Sequence, residues 1–286
     1  MMTYASREPL IPLEKWADIS INYIIHSFSG VFDGLNNIIT AFIRLLQWVL
    51  LTPPEWLVAV VLVALCWRLA GIRTAIYTAL GLLLLFALGL WEASMITLSL
   101  VLASTILSLV CGVPLGVLAY RFERFGAIIK PTLDIMQTMP AFVYLIPVVL
   151  LFGLGDVTAL IATFVFAMPP SVRLTLLGIQ QVPKETIEAA TAYGATEWQK
   201  LFKVQLPLAK PMIMAGINQV IMLSLSMVVI SSMVGAGGLG AEVLRSISTL
   251  DVGRGFVGGI SVVIIAVLLD RISQRFGQKT NIHTGH

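Results

Sequence analysis

Of the chain's 286 residues, 58% are hydrophobic and only 12% are charged, and the formal net charge is +3. An ordinary soluble domain carries about 25% charged residues, so a soluble enzyme is excluded. Nucleic acid is excluded as a partner too, because the basic residues are dispersed in short loops and gather on no soluble face. The composition is that of an all-α integral membrane protein.

In chain order, the N-terminal MMTYASREPL has neither a basic n-region nor an apolar h-region, so no signal peptide is expected. Leu10 to Phe28 reads as a weak interfacial segment. From Val31 to Leu50 apolar residues recur with a period of about 3.6, while Asp33, Asn36, Asn37, Arg44 and Gln47 take the other face. Such a helix is expected to lie in the interface plane, although its length would also span. Thr52-Pro53-Pro54 ends it, closing a tail over residues 1–53.

A hydrocarbon core of about 30 Å needs roughly 20 apolar residues in helix. Seven stretches are expected to cross: Pro54 to about Gly71, Thr74 to Trp91, Ala93 to Tyr120, Thr138 to Gly153, Val157 to Leu177, Leu208 to Val234 and Gly255 to Leu269. Residues 54–91 would then form two peripheral helices, 92–275 a core, and 276–286 a terminal tail. Cys66 and Cys111 fall inside expected spans and read as small packing residues. Serines in the spans are expected to bond backbone carbonyls. Gly112 to Gly116 and Gly255 to Gly259 have the small-xxx-small spacing of tight helix crossings.

Gly235-Ala236-Gly237-Gly238-Leu239-Gly240 has the letters of a dinucleotide fingerprint. That fingerprint needs a preceding strand and an acidic residue about 20 positions on. Here an apolar span precedes it and Ile260 stands near that position, so a flexible turn is expected. His26, His283 and His286 sit at the chain's ends, and neither a metal site nor a catalytic triad can be built from them. No GxxxxGK[ST] loop occurs, so any ATP and magnesium would be bound by another chain, and this one is expected to hold no cofactor.

The polar segment 178–207, GIQQVPKETIEAATAYGATEWQKLFKVQLP, carries the chemistry. Pro183 suits a helix start, and Glu185 and Glu188 fall near the positive end of the helix dipole. Ala189 and Ala190 let a partner approach the backbone, and Gly194 can take the left-handed turn that reverses the chain. A second helix, about Glu197 to Val204, is expected to end before Pro207. Glu188-Ala189-Ala190, Gly194 and Val204-x-Leu206-Pro207 meet the pattern EAA-x3-G-x9-[I/V]-x-L-P at every position. The segment thus resembles the EAA loop of ABC-transporter permeases, which docks an importer's membrane subunit on its ATPase. The resemblance implies the type I importer fold, with Glu188, Ala189, Ala190, Gly194, Leu206 and Pro207 at the ATPase contact. If this loop is cytoplasmic, 13 of the 18 Lys and Arg share its side. The positive-inside rule then puts the N-terminus outside and the C-terminus in the cytoplasm.

The runs Asp134 to Pro147, Met168 to Thr175 and Leu223 to Ile230 resemble the permease of glycine betaine/L-proline osmoprotectant importers, from about Pro12 to the chain's end. That likeness implies a bacterial inner-membrane location, a second copy of the chain, two cytoplasmic ATPase subunits, and an extracytoplasmic binding protein. The substrate would be a quaternary amine such as glycine betaine, proline betaine or choline. Such a cation keeps its charge without donating hydrogen bonds, so aromatic faces stabilise it. Phe142, Tyr144 and Phe166 are the candidate path residues on that ground. The alternatives are a permease for another solute, such as methionine or phosphonate, and an ATP-independent secondary transporter. The latter needs buried ionisable residues near the midplane, and the expected spans have almost none.

Overall fold

The computed structural model describes residue 23 and residues 27–278, with side chains described as far as residue 274. Most of the expected interfacial segment Leu10 to Phe28 and most of the 276–286 tail therefore lie outside the described residues. The described chain is helical throughout: α1 (Ser29–Leu51), α2 (Glu55–Ala70), α3 (Ile72–Ala87), α4 (Trp91–Arg121), α5 (Glu123–Thr138) and α6 (Ala141–Phe152). There follow α7 (Asp156–Gln180), α8 (Lys184–Ala192), α9 (Glu197–Lys200), α10 (Leu206–Ser231), α11 (Leu239–Thr249) and α12 (Val252–Gln278).

Among the described residues, five helical stretches are long and apolar enough to cross a bilayer: α1, α4, α7, α12 and the continuous run Glu197–Val234. A sixth is counted if the bent pair α5 and α6 is one span. Three of the seven expected spans are shorter than those five stretches. The first two expected spans are helices of 16 residues each, about 24 Å long at 1.5 Å per residue. They join through Gly71 as a helical hairpin.

The expected span from Thr138 to Gly153 is also different. It is the short helix α6, 12 residues long, and α5 meets it at 102°. Pro140 causes the break: Met139 before it is extended, at ψ 134°, as the proline ring demands of its predecessor. The Tyr144 hydroxyl donates to the Met136 carbonyl across the bend, satisfying an acceptor at the end of α5.

α1 lies across one end of the bundle. Phe32 packs edge-on against Phe152, with ring centroids 5.6 Å apart, and Gln47 Nε2 reaches Asp156 Oδ2 at 3.4 Å. Phe152 and Asp156 flank one tight turn, whereas 15 residues of helix separate Phe32 from Gln47, about 22 Å. A helix running alongside α7 could not touch that turn at both places. Ile43 and Leu50 anchor its apolar face in the main core, beside Trp91 and Met95.

The centre is a bundle of α4, α7 and α10. α4 and α7 pack closely because Gly112 faces Ser171 and Gly116 faces Thr175; a Cβ on Gly116 would come within 2.7 Å of the Val172 carbonyl. α10 runs against α7, with Gly178 meeting Ala209 and Gly216 meeting Ser171. The expected close crossing from Gly255 to Gly259 is realised at Gly258, which faces Val243 of α11, while Gly259 faces open space. Most span serines bond backbone carbonyls one turn back, as Ser94 does to Leu90 and Ser231 to Met227, but Ser108 donates to the Phe164 carbonyl of α7 and the buried Ser224 hydroxyl has no partner among the described residues. Both cysteines are free thiols.

Candidate functional site

The polar loop of residues 178–207 folds as a helical hairpin at one end of the bundle. α8 follows Pro183, which stands at its N-cap position. Its end is closed by Gly194 at φ 80°, a left-handed conformation with open space around it. α9 then starts with a capping box: Gln199 N–H donates to Thr196 Oγ1 at 3.4 Å, and Thr196 N–H donates to Gln199 Oε1 at 2.8 Å.

The chain does not break before Pro207, contrary to the sequence expectation. A five-residue π-helical turn, Leu201–Gln205, leads directly into α10, and Pro207 occupies its first turn. The widened π turn accommodates the proline ring within this continuous run. The loop is thus an extension of a membrane helix, so a displacement of α9 is carried directly into α10.

Two contacts fix the hairpin to the bundle and a third braces it internally. Leu201 is buried with Ile179 and Ala209, and half-buried Leu206 packs on the same cluster. Gln205 Nε2 donates to the Tyr120 hydroxyl at 2.6 Å. Lys200 is buried to 9% exposure, and its Nζ binds Glu197 Oε1 at 2.6 Å and Thr191 Oγ1 at 3.2 Å, joining α9 to α8. Leu206 therefore holds the hairpin from within. Glu188, Ala189, Gly194 and Pro207 are exposed, and Ala190 is half-exposed.

Aromatic side chains join them on the outside. Tyr193 is 93% exposed, and Trp198 and Phe202 stack at 5.8 Å with an interplanar angle of 17° while both remain more than half exposed. The sequence reading passed over these three. Their signal was present: aromatic residues in a charged loop, next to no apolar run that could bury them.

The aromatic path candidates are only partly brought together. Tyr144 and Phe166 meet edge to face at 5.7 Å, but Tyr144 is buried and its hydroxyl is taken by Met136. Phe142 points elsewhere, into a shallow apolar groove of about 430 Å³ with Ile146, Leu150 and Met233. On the other side of the Pro140 break, Arg173 Nη1 binds Asp134 Oδ1 at 3.1 Å and Gln137 Oε1 at 3.0 Å. At the bundle end away from the polar loop, the glycine turn after α10 packs as a lid. Leu239 N–H donates to Thr97 Oγ1 at 2.8 Å, and Gly237 N–H donates to Asp156 Oδ1 at 3.0 Å. Among the described residues no cluster of His, Cys, Asp or Glu has metal-binding geometry.

Residues 112–282 match the family model of the binding-protein-dependent transport system inner membrane component. The chain belongs to that family. The match contains the end of α4, all of α7, the polar hairpin and α10. Relatives cover nearly the whole chain. The glycine betaine/proline betaine transport system permease protein ProW of Escherichia coli (strain K12) is 46% identical over 94% of this chain and 76% of its own length. The glycine betaine transport system permease protein OpuAB of Bacillus subtilis (strain 168) is 48% identical over 96% of this chain and 97% of its own. The glycine betaine/carnitine transport permease protein GbuB of Listeria monocytogenes is 49% identical over 95% of this chain and 97% of its own. Among solved structures, an inward-facing form of the MetNI methionine ABC transporter superposes with a TM-score of 0.60 at 23% identity, over 67% of this chain and 95% of that one. The fold is therefore that of a type I ABC permease. This family member is a multi-pass inner-membrane transport component, and its relatives are permease subunits.

Proposed function

We propose that this chain is the membrane subunit of an ATP-driven importer for glycine betaine and related quaternary amines. The observation that carries the reading is the 46–49% identity, over at least 94% of the chain, to permeases whose names all include glycine betaine. In this reading two copies of the chain form the pathway, two cytoplasmic ATPase subunits supply the energy, and an extracytoplasmic binding protein delivers substrate. ATP and magnesium are held by the ATPase, and this chain performs no chemistry of its own.

The polar hairpin is the ATPase-docking element. Exposed Glu188, Ala189 and Gly194 form a low-relief surface that a partner can approach, while Tyr193, Trp198 and Phe202 supply the aromatic anchors that dominate protein interfaces. The π turn joins this surface to α10 without a flexible linker, so closure of the ATPase pair tilts α10 against α7 and exposes the path to alternate sides. Docking in the cytoplasm sets the orientation: the N-terminus and Asp251 outside, the C-terminus inside, in accord with the distribution of Lys and Arg.

Reconstitution tests the reading. The permease is assembled in liposomes with its cognate ATPase and binding protein, and uptake of labelled glycine betaine, choline and methionine is followed with and without ATP. ATP-dependent uptake of glycine betaine supports it. Uptake without ATP, or of methionine alone, refutes it.

A further inference from the structure

Gln219 stands at the midpoint of α10, 13 residues from Leu206 and 12 from Ser231, roughly 18–20 Å from either end. It is exposed on the surface of the protomer. It belongs to a stripe of exposed positions at helical spacing, with Pro211, Ala215, Met222, Ser226 and Met233. Ser226 satisfies its hydroxyl internally on the Met222 carbonyl, but a glutamine amide has too many donors and acceptors to be closed off by its own helix. Facing lipid at this depth would leave that amide in hydrocarbon, where polar groups are rarely tolerated and face a cavity or another protein surface instead. The neighbours of Gln219 along the stripe also leave room. Ala215, one turn towards the polar hairpin, is small, and Met222, one turn away, is flexible and polarizable.

We infer that Gln219 lines the passage and is its mid-membrane contact for a zwitterionic quaternary amine. The inference rests on the importer reading above and adds the site. A betaine carries a fixed onium charge and a carboxylate with no net charge. The amide answers both ends, because its N–H groups donate to the carboxylate and its carbonyl oxygen faces the onium group. Being neutral, it holds neither end strongly enough to trap the substrate, as transit requires. The stripe rather than the aromatic trio carries the mid-membrane contact, since Tyr144 is buried against Met136 and Phe142 lies at the far end of the stripe, in the groove it shares with Met233.

The test uses the complete complex in liposomes, with Cys66 and Cys111 replaced by Ala. Gln219→Cys and, as a control on the exposed apolar surface of α12, Val263→Cys are treated with a water-soluble trimethylammonium methanethiosulfonate, itself a quaternary amine. Gln219→Cys is expected to react and lose uptake, with saturating glycine betaine slowing the reaction at least about threefold, while Val263→Cys stays inert. In parallel, Gln219→Leu is expected to slow uptake between about threefold and tenfold, the range of one lost neutral hydrogen bond, and Gln219→Asn less. A Gln219→Cys that is inert, or that forms a disulfide between copies without loss of uptake, overturns the inference while leaving the importer reading intact. Absence of betaine uptake by the wild-type complex overturns both.

Discussion

Asp156 Oδ1 accepts a hydrogen bond from the Gly237 backbone N–H at 3.0 Å, across 81 residues of sequence. Its other oxygen accepts from Gln47 of α1 at 3.4 Å. One carboxylate at the start of α7 therefore fastens both the glycine turn and the helix lying across that end of the bundle. Its two partners are polar groups that would otherwise be left unpaired. Asp156→Ala should lower stability by about 1–3 kcal/mol, the cost of such unpaired groups, read as a shift in thermal unfolding of the purified protein. Hydrogen exchange should rise locally at residues 235–238. Unchanged exchange there would show that the turn holds itself.

Gly194 and Gly238 both have positive φ, at 80° and 84°, but only Gly238 is crowded: a Cβ there would lie 2.4 Å from Thr97 Oγ1. Gly194→Val therefore strains the backbone alone, by about 1–3 kcal/mol, in a hairpin outside the bundle core. It should leave the protein inserted and weaken ATPase capture in pull-downs. Gly238→Ala adds a clash to the strain and should lower the yield of folded protein in detergent. Equal folded yields for both variants would contradict this division.

The polar hairpin was legible because each of its features is local. Pro183 and Gly194 act on their own backbone, and Glu and Ala favour helix at short range. The run through Pro207 was not legible, because a proline is ordinarily a stop and nothing in the composition announces the π turn that carries the helix past it. The bend at Pro140 was hidden for a related reason. Hydropathy continues through residues 141–152, and composition does not report direction. Nor could apolarity alone separate a path-lining aromatic from a packed one; Tyr144 was resolved only by its contact with Met136. Gln219 was visible in the sequence but needed the exposed face of α10 to acquire meaning.

Arg173 and Asp134 form an ion pair with side chains 49% and 61% exposed in the single protomer. If that face opens on water in the assembled protein, Asp134→Ala should cost no more than about 1 kcal/mol, as at other wetted pairs. A loss of about 3–5 kcal/mol would mean that a neighbouring copy buries the pair and leaves Arg173 uncompensated. A double-mutant cycle with Arg173→Gln, read by denaturation in detergent, isolates the coupling. The charge swap Arg173→Asp with Asp134→Arg should recover most of it.

Glu188 is exposed on α8, and among the described residues no cation lies within salt-bridge distance of it, whereas Glu197 on the same hairpin is held by Lys200. A carboxylate free of internal duties can be inverted without unfolding the hairpin. Glu188→Lys should therefore change stability by less than about 0.5 kcal/mol, as surface substitutions do. At a docking contact the reversed charge becomes a repulsive element, and coupling should suffer. Trp198→Ala removes an aromatic anchor from the same surface, and interface anchors of this kind cost about 2 kcal/mol or more when truncated. In liposomes with equal amounts of assembled permease, both variants should lose substrate-stimulated ATP hydrolysis and glycine betaine uptake together. Glu197→Gln, which loosens the hairpin from within, should instead raise hydrogen exchange across α9 before it affects docking. Normal stimulation and uptake by Glu188→Lys would remove that residue from the contact, and loss confined to Trp198→Ala would place the ATPase against the aromatic face of α9 alone.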